Sequence, residues 1–234
     1  MDGFPFQVEV IRTDRKRSAS ISLSDDSVKV TVPSTLSDNR IRDLLTKRTP
    51  WIKKKFQEQV DRPIPKAKEY VSGETFTYLG KNYRLKVLKG LSSSIKLKRG
   101  YLEVTLLEAD NDPKTTIRLL LREWYKAHAK KRLIDKTKRF AKVIGVNPNS
   151  ITVKDYKSRW GSCSVQGDIS YNWRIILAPH SIVDYVVVHE LCHMLEHNHS
   201  SKYWKHVERY VPNWRECRNW LKQRHIVVEM YTTC

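Results

Sequence analysis

Residues 185–193, Tyr-Val-Val-Val-His-Glu-Leu-Cys-His, combine an apolar run with two histidines four positions apart. Side chains four positions apart share one face of an α-helix, so His189 and His193 can direct both imidazoles at one point. Glu190 lies one position after the first histidine and therefore points elsewhere around the helix. This segment predicts a helix with two converging imidazoles and a neighbouring carboxyl.

The pattern has the spacing of an HExxH zinc site. Two imidazoles on one helix face can both bind an ion at Zn–N distances of about 2.0–2.1 Å. Glu190 is too far around the helix to be a ligand at ideal geometry, but it can reach a water bound to the metal. The pattern therefore predicts Zn²⁺ as cofactor, His189 and His193 as ligands and Glu190 as general base. The alternative is two surface histidines on an ordinary helix.

A catalytic zinc needs a third protein ligand and one open position. His197 extends the same helix face, but at 1.5 Å per residue it lies about 12 Å from His189 along the axis, too far to share one ion. The downstream candidates in sequence order are Glu196, His197, His199, His206 and Glu208.

His199 is the favoured third ligand if the helix ends near Leu195. Asn198 tolerates a left-handed conformation, which would help the chain to reverse. The three histidines then have the spacing of the HExxHxxGxxH signature, except that Glu196 stands in place of its glycine. Glu208 would instead complete a site of two histidines and one glutamate, and it remains the alternative ligand.

Five segments add specificity to the motif: Ser158-Arg159-Trp160-Gly161-Ser162-Cys163, Asn172-Trp173-Arg174, Tyr185 through His193, Asn198-His199-Ser200 and Tyr203-Trp204. With them the chain resembles the YgjP-like zinc metallopeptidases, relatives of the SprT-like proteases, along nearly its whole length. The resemblance implies zinc ligands His189, His193 and His199, with Glu190 as catalytic acid/base. The relation to proteases of DNA–protein crosslinks is an analogy.

Composition limits the class of protein. The chain has 234 residues, 40% of them apolar, a content typical of a packed globular protein. We expect no signal peptide and no membrane span. The cysteines are widely spaced and form no CxxC pair, which favours a reducing, cytoplasmic location. They are Cys163, Cys192, Cys217 and Cys234.

The formal net charge of +19 favours polyanionic partners, nucleic acid among them. Basic residues recur every four positions in one predicted helix, so the like charges repel one another and an anionic partner would relieve them. They are Lys114, Arg118, Arg122, Lys126 and Lys130. The alternative is a solvated outer face.

We predict an α+β protein with two domains, residues 1–110 and 111–234. The first is a β-rich unit with one helix, which starts after Ser37 and is kinked or interrupted at Pro50. A connection is expected at residues 61–68. The second is a zincin-like helical metallopeptidase domain with a small antiparallel sheet.

Local signals place the elements of the second domain. Asp112 and Pro113 begin a long helix that Gly145 closes. A strand is expected over residues 169–177. It is either an edge that pairs with an extended substrate or an interior strand, since Tyr171, Trp173, Ile175 and Leu177 would fill one face. Pro179 and Ser181 begin the motif helix, with Asp184 at the capping-box position after Ser181, and two short helices follow.

The predicted function is a zinc metallopeptidase that hydrolyses peptide bonds through a zinc-activated water, with protein or peptide substrates that could be DNA-associated. Candidate substrate-binding residues are Asn172, Arg174 and Tyr203. The candidates to stabilise the oxyanion that forms during hydrolysis are Tyr203, Arg174 and Tyr171. One alternative is a nucleic-acid-binding protein whose zinc is structural or inactive. Another is a zinc hydrolase of a non-peptide amide.

Overall fold

The computed structural model describes residues 3–16, 18–24, 27–60 and 67–223. The chain divides into two compact units, Met1–Ile64 and Pro65–Cys234. The sequence-based boundary between residues 110 and 111 falls inside the second unit. Most of the expected connection at residues 61–68 lies outside the described residues.

The first unit has one small mixed sheet and one helix. Strand β3 (Ser27–Pro33) lies in the centre, parallel to β1 (Gln7–Thr13) and antiparallel to β2 (Ser20–Leu23). Alternate residues of β3 are buried, as its sequence alternation predicts. Helix α1 (Asp38–Val60) continues through Pro50, so the expected interruption does not occur.

The second unit begins with a four-stranded sheet of order β4-β5-β7-β6. Its parallel central pair, β5 and β7, has an antiparallel strand on each side. The strands are β4 (Thr75–Tyr78), β5 (Lys81–Gly90), β6 (Ser94–Lys98) and β7 (Tyr101–Leu107). Buried residues of this sheet share one hydrophobic core with the helices that follow.

Helix α2 (Pro113–Ile144) has the ends that its sequence predicts. The Asp112 side chain accepts a hydrogen bond from the backbone N–H of Thr115 at 3.2 Å, and Pro113 occupies the first turn. Gly145 closes the helix in a left-handed conformation, φ 82°.

A second small sheet follows α2. It consists of β8 (Ser150–Lys154), β9 (Gly161–Cys163) and β10 (Asp168–Asn172). Strand β10 lies in the centre, parallel to β8 and antiparallel to β9. The expectation of an antiparallel sheet was therefore wrong. Of the two alternatives for the predicted strand, an edge or an interior strand, the structure shows the interior strand. Both of its sides are already paired, and β9 is an outer strand of the sheet.

The strand expected over residues 169–177 ends at Asn172. The Asn172 side chain accepts a hydrogen bond from the backbone N–H of Arg174 at 3.2 Å and caps a 3₁₀ helix, Trp173–Leu177. All five residues of this helix are buried, so it carries the apolar side chains that gave the segment its strand-like pattern.

The motif helix α3 (His180–Cys192) begins after Pro179, without a side-chain cap. The expected capping box is absent because the helix starts before Ser181, and Asp184 instead forms an ion pair with Lys136 of α2 at 2.5 Å.

Two short helices, α4 (Ser201–Tyr210) and α5 (Trp214–Gln223), both contact α3, as the sequence predicted two helices here. The fold of the described residues is therefore mixed α+β. No helix among the described residues is long and apolar enough to span a membrane.

Candidate metal centre

The end of α3 places two of the motif side chains. His189 lies in the last turn, and His193 is the capping residue with helical backbone angles. Their ring centroids are 5.0 Å apart with the planes nearly perpendicular, at 88°. The Nδ1 atom of His193 lies 3.3 Å from the backbone oxygen of Glu196. Such a contact fixes the ring orientation and leaves Nε2 for another partner.

His199 reaches the same point from the turn between α3 and α4. The Asn198 side chain accepts a hydrogen bond from the backbone N–H of Ser200 at 3.0 Å, and Ser200 caps α4. Asn198 is not left-handed, contrary to the sequence-based expectation. The reversal depends instead on these two side-chain contacts.

The nitrogen atoms of His189, His193 and His199 form a group with the dimensions of a metal site. One ligand atom from each lies within 4.8 Å of the others. The Nε2 atoms of His189 and His199 are 3.2 Å apart. Two nitrogens bound to one tetrahedral zinc at about 2.0–2.1 Å lie about 3.3 Å from each other. The donor set and its spacing therefore fit a zinc ion.

Burial keeps these imidazoles neutral. It lowers the pKa of His189 to about 3, with smaller contributions from His193, His199 and Arg218. Burial also lowers the pKa of His193 and of His199. Neutral imidazole is the form that binds a metal, so protons compete little for the three nitrogens near neutral pH.

Tyr203 supports two of the histidines from α4. Its hydroxyl donates a hydrogen bond to the backbone oxygen of His189 at 2.9 Å. Its ring stacks on His193, with centroids 4.5 Å apart and 27° between the planes. The side chain is fully buried. Tyr203 therefore contacts two of the histidines, while its role in binding substrate stays a prediction.

Glu190 is 5% exposed and belongs to the few buried charged residues of the second unit. Burial raises the pKa of its carboxyl to about 8, and the charge of Arg159 opposes this shift. No side chain among the described residues donates a hydrogen bond to the carboxyl. A metal cation bound by the histidines would add to the effect of Arg159 and favour the ionised form of the Glu190 carboxyl.

Gly161 of β9 makes room for that carboxyl. A Cβ atom on Gly161 would lie 2.5 Å from Oε1 and 2.8 Å from Cδ of Glu190. The backbone of Gly161 is not left-handed, so close approach and not conformation requires glycine here. This role of Gly161 is not visible in the sequence, because only the packing of β9 on α3 brings the residue against Glu190.

The other predicted substrate-binding residues have structural partners. The Asn172 amide donates hydrogen bonds to the backbone oxygens of Tyr156 at 2.9 Å and Arg159 at 3.1 Å. Arg174 forms an ion pair with Asp155 and is 9% exposed. The structure thus provides internal contacts for both side chains.

Tyr171 and Glu208, the remaining alternatives, lie outside the histidine group. The Tyr171 hydroxyl lies 3.0 Å from Oγ1 of Thr137 in the core. Glu208 forms an ion pair with Arg215 at 2.9 Å on the surface. The group of candidate ligands among the described residues contains His199 and not Glu208.

Three converging imidazoles, two from the end of α3 and one from the turn after it, together with a buried carboxyl on α3, are the groups that a metal-dependent hydrolase uses. The model of the YgjP-like family, described as a metallopeptidase domain, matches residues 17–224. The chain belongs to this family, as the sequence resemblance indicated, and the family supports a peptidase with a metal cofactor.

Solved metallopeptidase structures give a partial similarity. The zymogen of Pyrococcus abyssi abylysin has 19% identity and a TM-score of 0.37, covering 39% of this chain and 93% of that protein. The zymogen of Methanocaldococcus jannaschii jannalysin has 20% identity and a TM-score of 0.37, covering 40% and 97%. No curated protein matches the chain.

Proposed function

We propose that this protein is a zinc-dependent peptidase in which His189, His193 and His199 hold the metal and Glu190 is the general base. The observation that carries the proposal is a buried carboxyl to which no described residue donates a hydrogen bond, next in sequence to one of three imidazoles whose nitrogens lie within 4.8 Å of one another. A buried ionisable group costs free energy, so one without a structural partner points to chemistry.

The ligand set favours zinc over magnesium or calcium. Magnesium and calcium prefer oxygen ligands, whereas imidazole nitrogen suits zinc. Three protein ligands leave the open position of a catalytic site. When bound, zinc supplies a Lewis acid that lowers the pKa of water from about 15.7 to about 7.

The chain's own groups then have separate tasks. The Glu190 carboxylate accepts a proton from the attacking water and returns it to the leaving amine. Burial raises the pKa of Glu190 to about 8 even with Arg159 nearby, and a bound metal cation would lower it toward the range of a group that takes and releases a proton near pH 7. Tyr203 fixes the backbone of His189 and the ring of His193, so that both nitrogens keep their direction.

The outer strand β9 supplies a surface for an extended substrate. It runs past Glu190 at Gly161 and pairs with β10 on one side. An extended peptide could add to its other side through backbone hydrogen bonds. This assigns to β9 the substrate-pairing role that the sequence suggested for residues 169–177.

Two variants test the proposal. Glu190→Gln keeps the size of the side chain but removes the base, so casein hydrolysis should fall about 10²–10⁴-fold while zinc content stays near one per chain. Unchanged hydrolysis would exclude Glu190 as the base. His199→Ala should lose zinc, whereas the matched change Glu208→Ala should keep it; the opposite result would replace the third ligand.

Nucleic-acid binding is a second candidate function. In one version the protein only binds nucleic acid and the zinc is structural. In the other, nucleic-acid binding brings the peptidase to DNA-associated proteins. Helix α2 carries eleven Lys and Arg residues against two acidic residues, over about 48 Å of axis. Among the basic residues that recur every four positions, Arg122 pairs with Asp155 at 3.0 Å and Lys126 pairs with Glu123 at 2.9 Å.

The salt dependence of DNA affinity tests this second candidate. Phosphate contacts make log K fall linearly with log salt, with a slope of about −0.9 for each phosphate neutralised. A steep slope that becomes shallower in Lys130→Gln/Lys131→Gln would support binding along α2. A flat dependence would exclude phosphate contacts by this helix.

A further inference from the structure

Arg218 of α5 is an exposed cation beside the histidine group. Its guanidinium carbon lies 5.0 Å from the ring centroid of Trp204. The Trp204 ring in turn stacks on His199, with centroids 5.5 Å apart and 27° between the planes. The Trp204 ring therefore lies between the Arg218 guanidinium, which it contacts through a cation–π interaction, and His199, a candidate metal ligand.

Arg215, one turn earlier on α5, provides an internal comparison. Its guanidinium carbon lies 4.5 Å from the ring centroid of Trp214, and it forms an ion pair with Glu208 at 2.9 Å. Arg218 has the same kind of aromatic contact, but within the described part of the chain it forms no ion pair. The arginine nearer the histidines is thus the one left without an anion.

The charge of Arg218 reaches the histidine group, because it contributes to the lowered pKa of His189 and of His199. On the Glu190 side, exposed Arg159 acts in the same way on the carboxyl. Arg159 also forms no ion pair among the described residues. Two exposed cations therefore act on the site, Arg218 on the histidines and Arg159 on Glu190, and their positive potential favours an anionic ligand.

We propose that Arg218 binds a carboxylate of the substrate close to the cleaved bond, so that the site prefers acidic peptides. This inference rests on the proposed peptidase function and narrows its substrate class. A guanidinium matches a carboxylate with two parallel hydrogen bonds, and the Trp204 ring restricts its orientation in advance. Because Arg218 is exposed, we expect about a tenfold preference and not a larger one.

A binding experiment without turnover tests the inference. Zinc-loaded Glu190→Gln protein is titrated into fluorescein-labelled decapeptides that differ only by Glu or Gln at one position, and fluorescence anisotropy gives Kd. The Glu peptide should bind about tenfold more tightly than the Gln peptide. Adding Arg218→Gln should remove this ratio, Arg218→Lys should keep part of it, and the matched control Arg215→Gln should keep all of it.

A second peptide pair, with a free or an amidated C-terminus, shows which carboxylate Arg218 binds. If the Kd values differ between the Glu and Gln peptides, the carboxylate is an acidic side chain. If they differ between the free and amidated peptides, it is the chain terminus. A ratio unchanged by Arg218→Gln overturns the inference. So does an equal loss of affinity for both members of each pair, or no measurable binding of any peptide.

Hydrolysis of the same peptides by the zinc-loaded natural chain keeps the two proposals apart. An Arg218-dependent binding ratio without hydrolysis would contradict the peptidase function and leave carboxylate recognition standing. Hydrolysis with the same kcat/KM for Glu and Gln peptides would support the peptidase function and contradict carboxylate recognition by Arg218. If both hold, the preference should appear in kcat/KM of the natural chain and disappear in Arg218→Gln.

Discussion

The cores of the two units differ in what they bury. The fully buried residues of the first unit are all aliphatic: Val28, Val30, Val32, Ile41, Leu45 and Ile52. The buried polar and charged residues of the described chain all belong to the second unit: Thr137, Ser170, Asn172, Arg174 and Glu190. Burial of a polar group costs free energy unless a partner compensates for it. Only the second unit, among the described residues, therefore has buried polar side chains whose desolvation must be compensated.

Most of these buried groups are compensated within the protein. Thr137 lies within hydrogen-bonding distance of Tyr171, Ser170 of Thr152, and Arg174 is paired with Asp155. The carboxyl of Glu190 receives no such hydrogen bond from the described residues. The comparison therefore separates a core that only stabilises the fold from one that also holds a reactive group in place.

The largest expected effect on stability is in the purely aliphatic core. Leu45→Ala removes a side chain that is 0% exposed in the first unit. The lost burial and the cavity should lower the free energy of unfolding by about 3 kcal/mol, measured by circular dichroism in urea. Zinc content of the folded protein should not change. A loss of zinc would mean that the two cores are not functionally separate.

Leu91→Ala is the control for this change, because Leu91 is 98% exposed. It should alter the free energy of unfolding by less than about 0.5 kcal/mol.

Gly161→Ala should have the next largest effect, and on activity more than on stability. The added Cβ would overlap the Glu190 carboxyl at 2.5 Å, and that carboxyl is enclosed by protein. Displacement of the base by a fraction of an ångström to 1 Å should lower kcat about 100-fold, about 2.7 kcal/mol. Zinc content should remain near one per chain.

Gly90→Ala is a matched control, since Gly90 also lacks a left-handed backbone. There a Cβ would lie 2.7 Å from Cγ2 of Thr105, in the four-stranded sheet away from the histidines. This variant should lose stability but keep its activity per bound zinc. Equal kcat losses in the two variants would show that Gly161 acts only through general packing.

Local signals made part of this structure predictable. Asp112, Pro113 and Gly145 carry the ends of α2 in their own backbone preferences. The positions of His189 and His193 follow from helix periodicity alone. His199 could be favoured but not fixed from the residues, because its position depends on how the chain reverses between two helices.

Non-local contacts explain what the sequence could not show. Residues 173–177 alternate like a strand, but Asn172 caps a 3₁₀ helix there and tertiary burial overrides the pattern. Arg174 and Tyr203 were predicted to bind substrate. In the structure Arg174 forms an ion pair with Asp155, and the Tyr203 hydroxyl donates a hydrogen bond to the backbone oxygen of His189. Partners 14 and 19 residues distant cannot be identified from spacing.

The raised pKa of Glu190 predicts a pH-dependent stability of the metal-free protein. With a pKa of about 8 in the folded chain and an ordinary value of 4.5, the carboxyl contributes stability below pH 4.5, which is lost as pH rises to about 8. In EDTA, Glu190→Gln should therefore become more stable relative to the natural chain as pH rises from 5 to 8, by on the order of 3 kcal/mol.

Thermal unfolding of both proteins across this pH range measures the difference. Titration of the histidines contributes to both chains and largely cancels. Added zinc should reduce the gap, because a nearby cation favours the charged carboxyl. A constant gap from pH 5 to 8 would contradict a buried carboxyl that ionises late.

The smallest expected effect concerns the support of the ligands by Tyr203. Tyr203→Phe keeps the ring that stacks on His193 but removes the hydroxyl that donates to the backbone oxygen of His189. Loss of one buried hydrogen bond should cost about 1 kcal/mol of stability. Because the hydroxyl fixes the backbone that carries a ligand, zinc affinity should fall about tenfold, measured by competition with a chelator.

Tyr210, a half-buried tyrosine on the same helix, provides the control. Tyr210→Phe should change neither the stability nor the zinc affinity. A stability loss in Tyr203→Phe with unchanged zinc affinity would reduce Tyr203 to an ordinary core residue and weaken the contrast between the two cores.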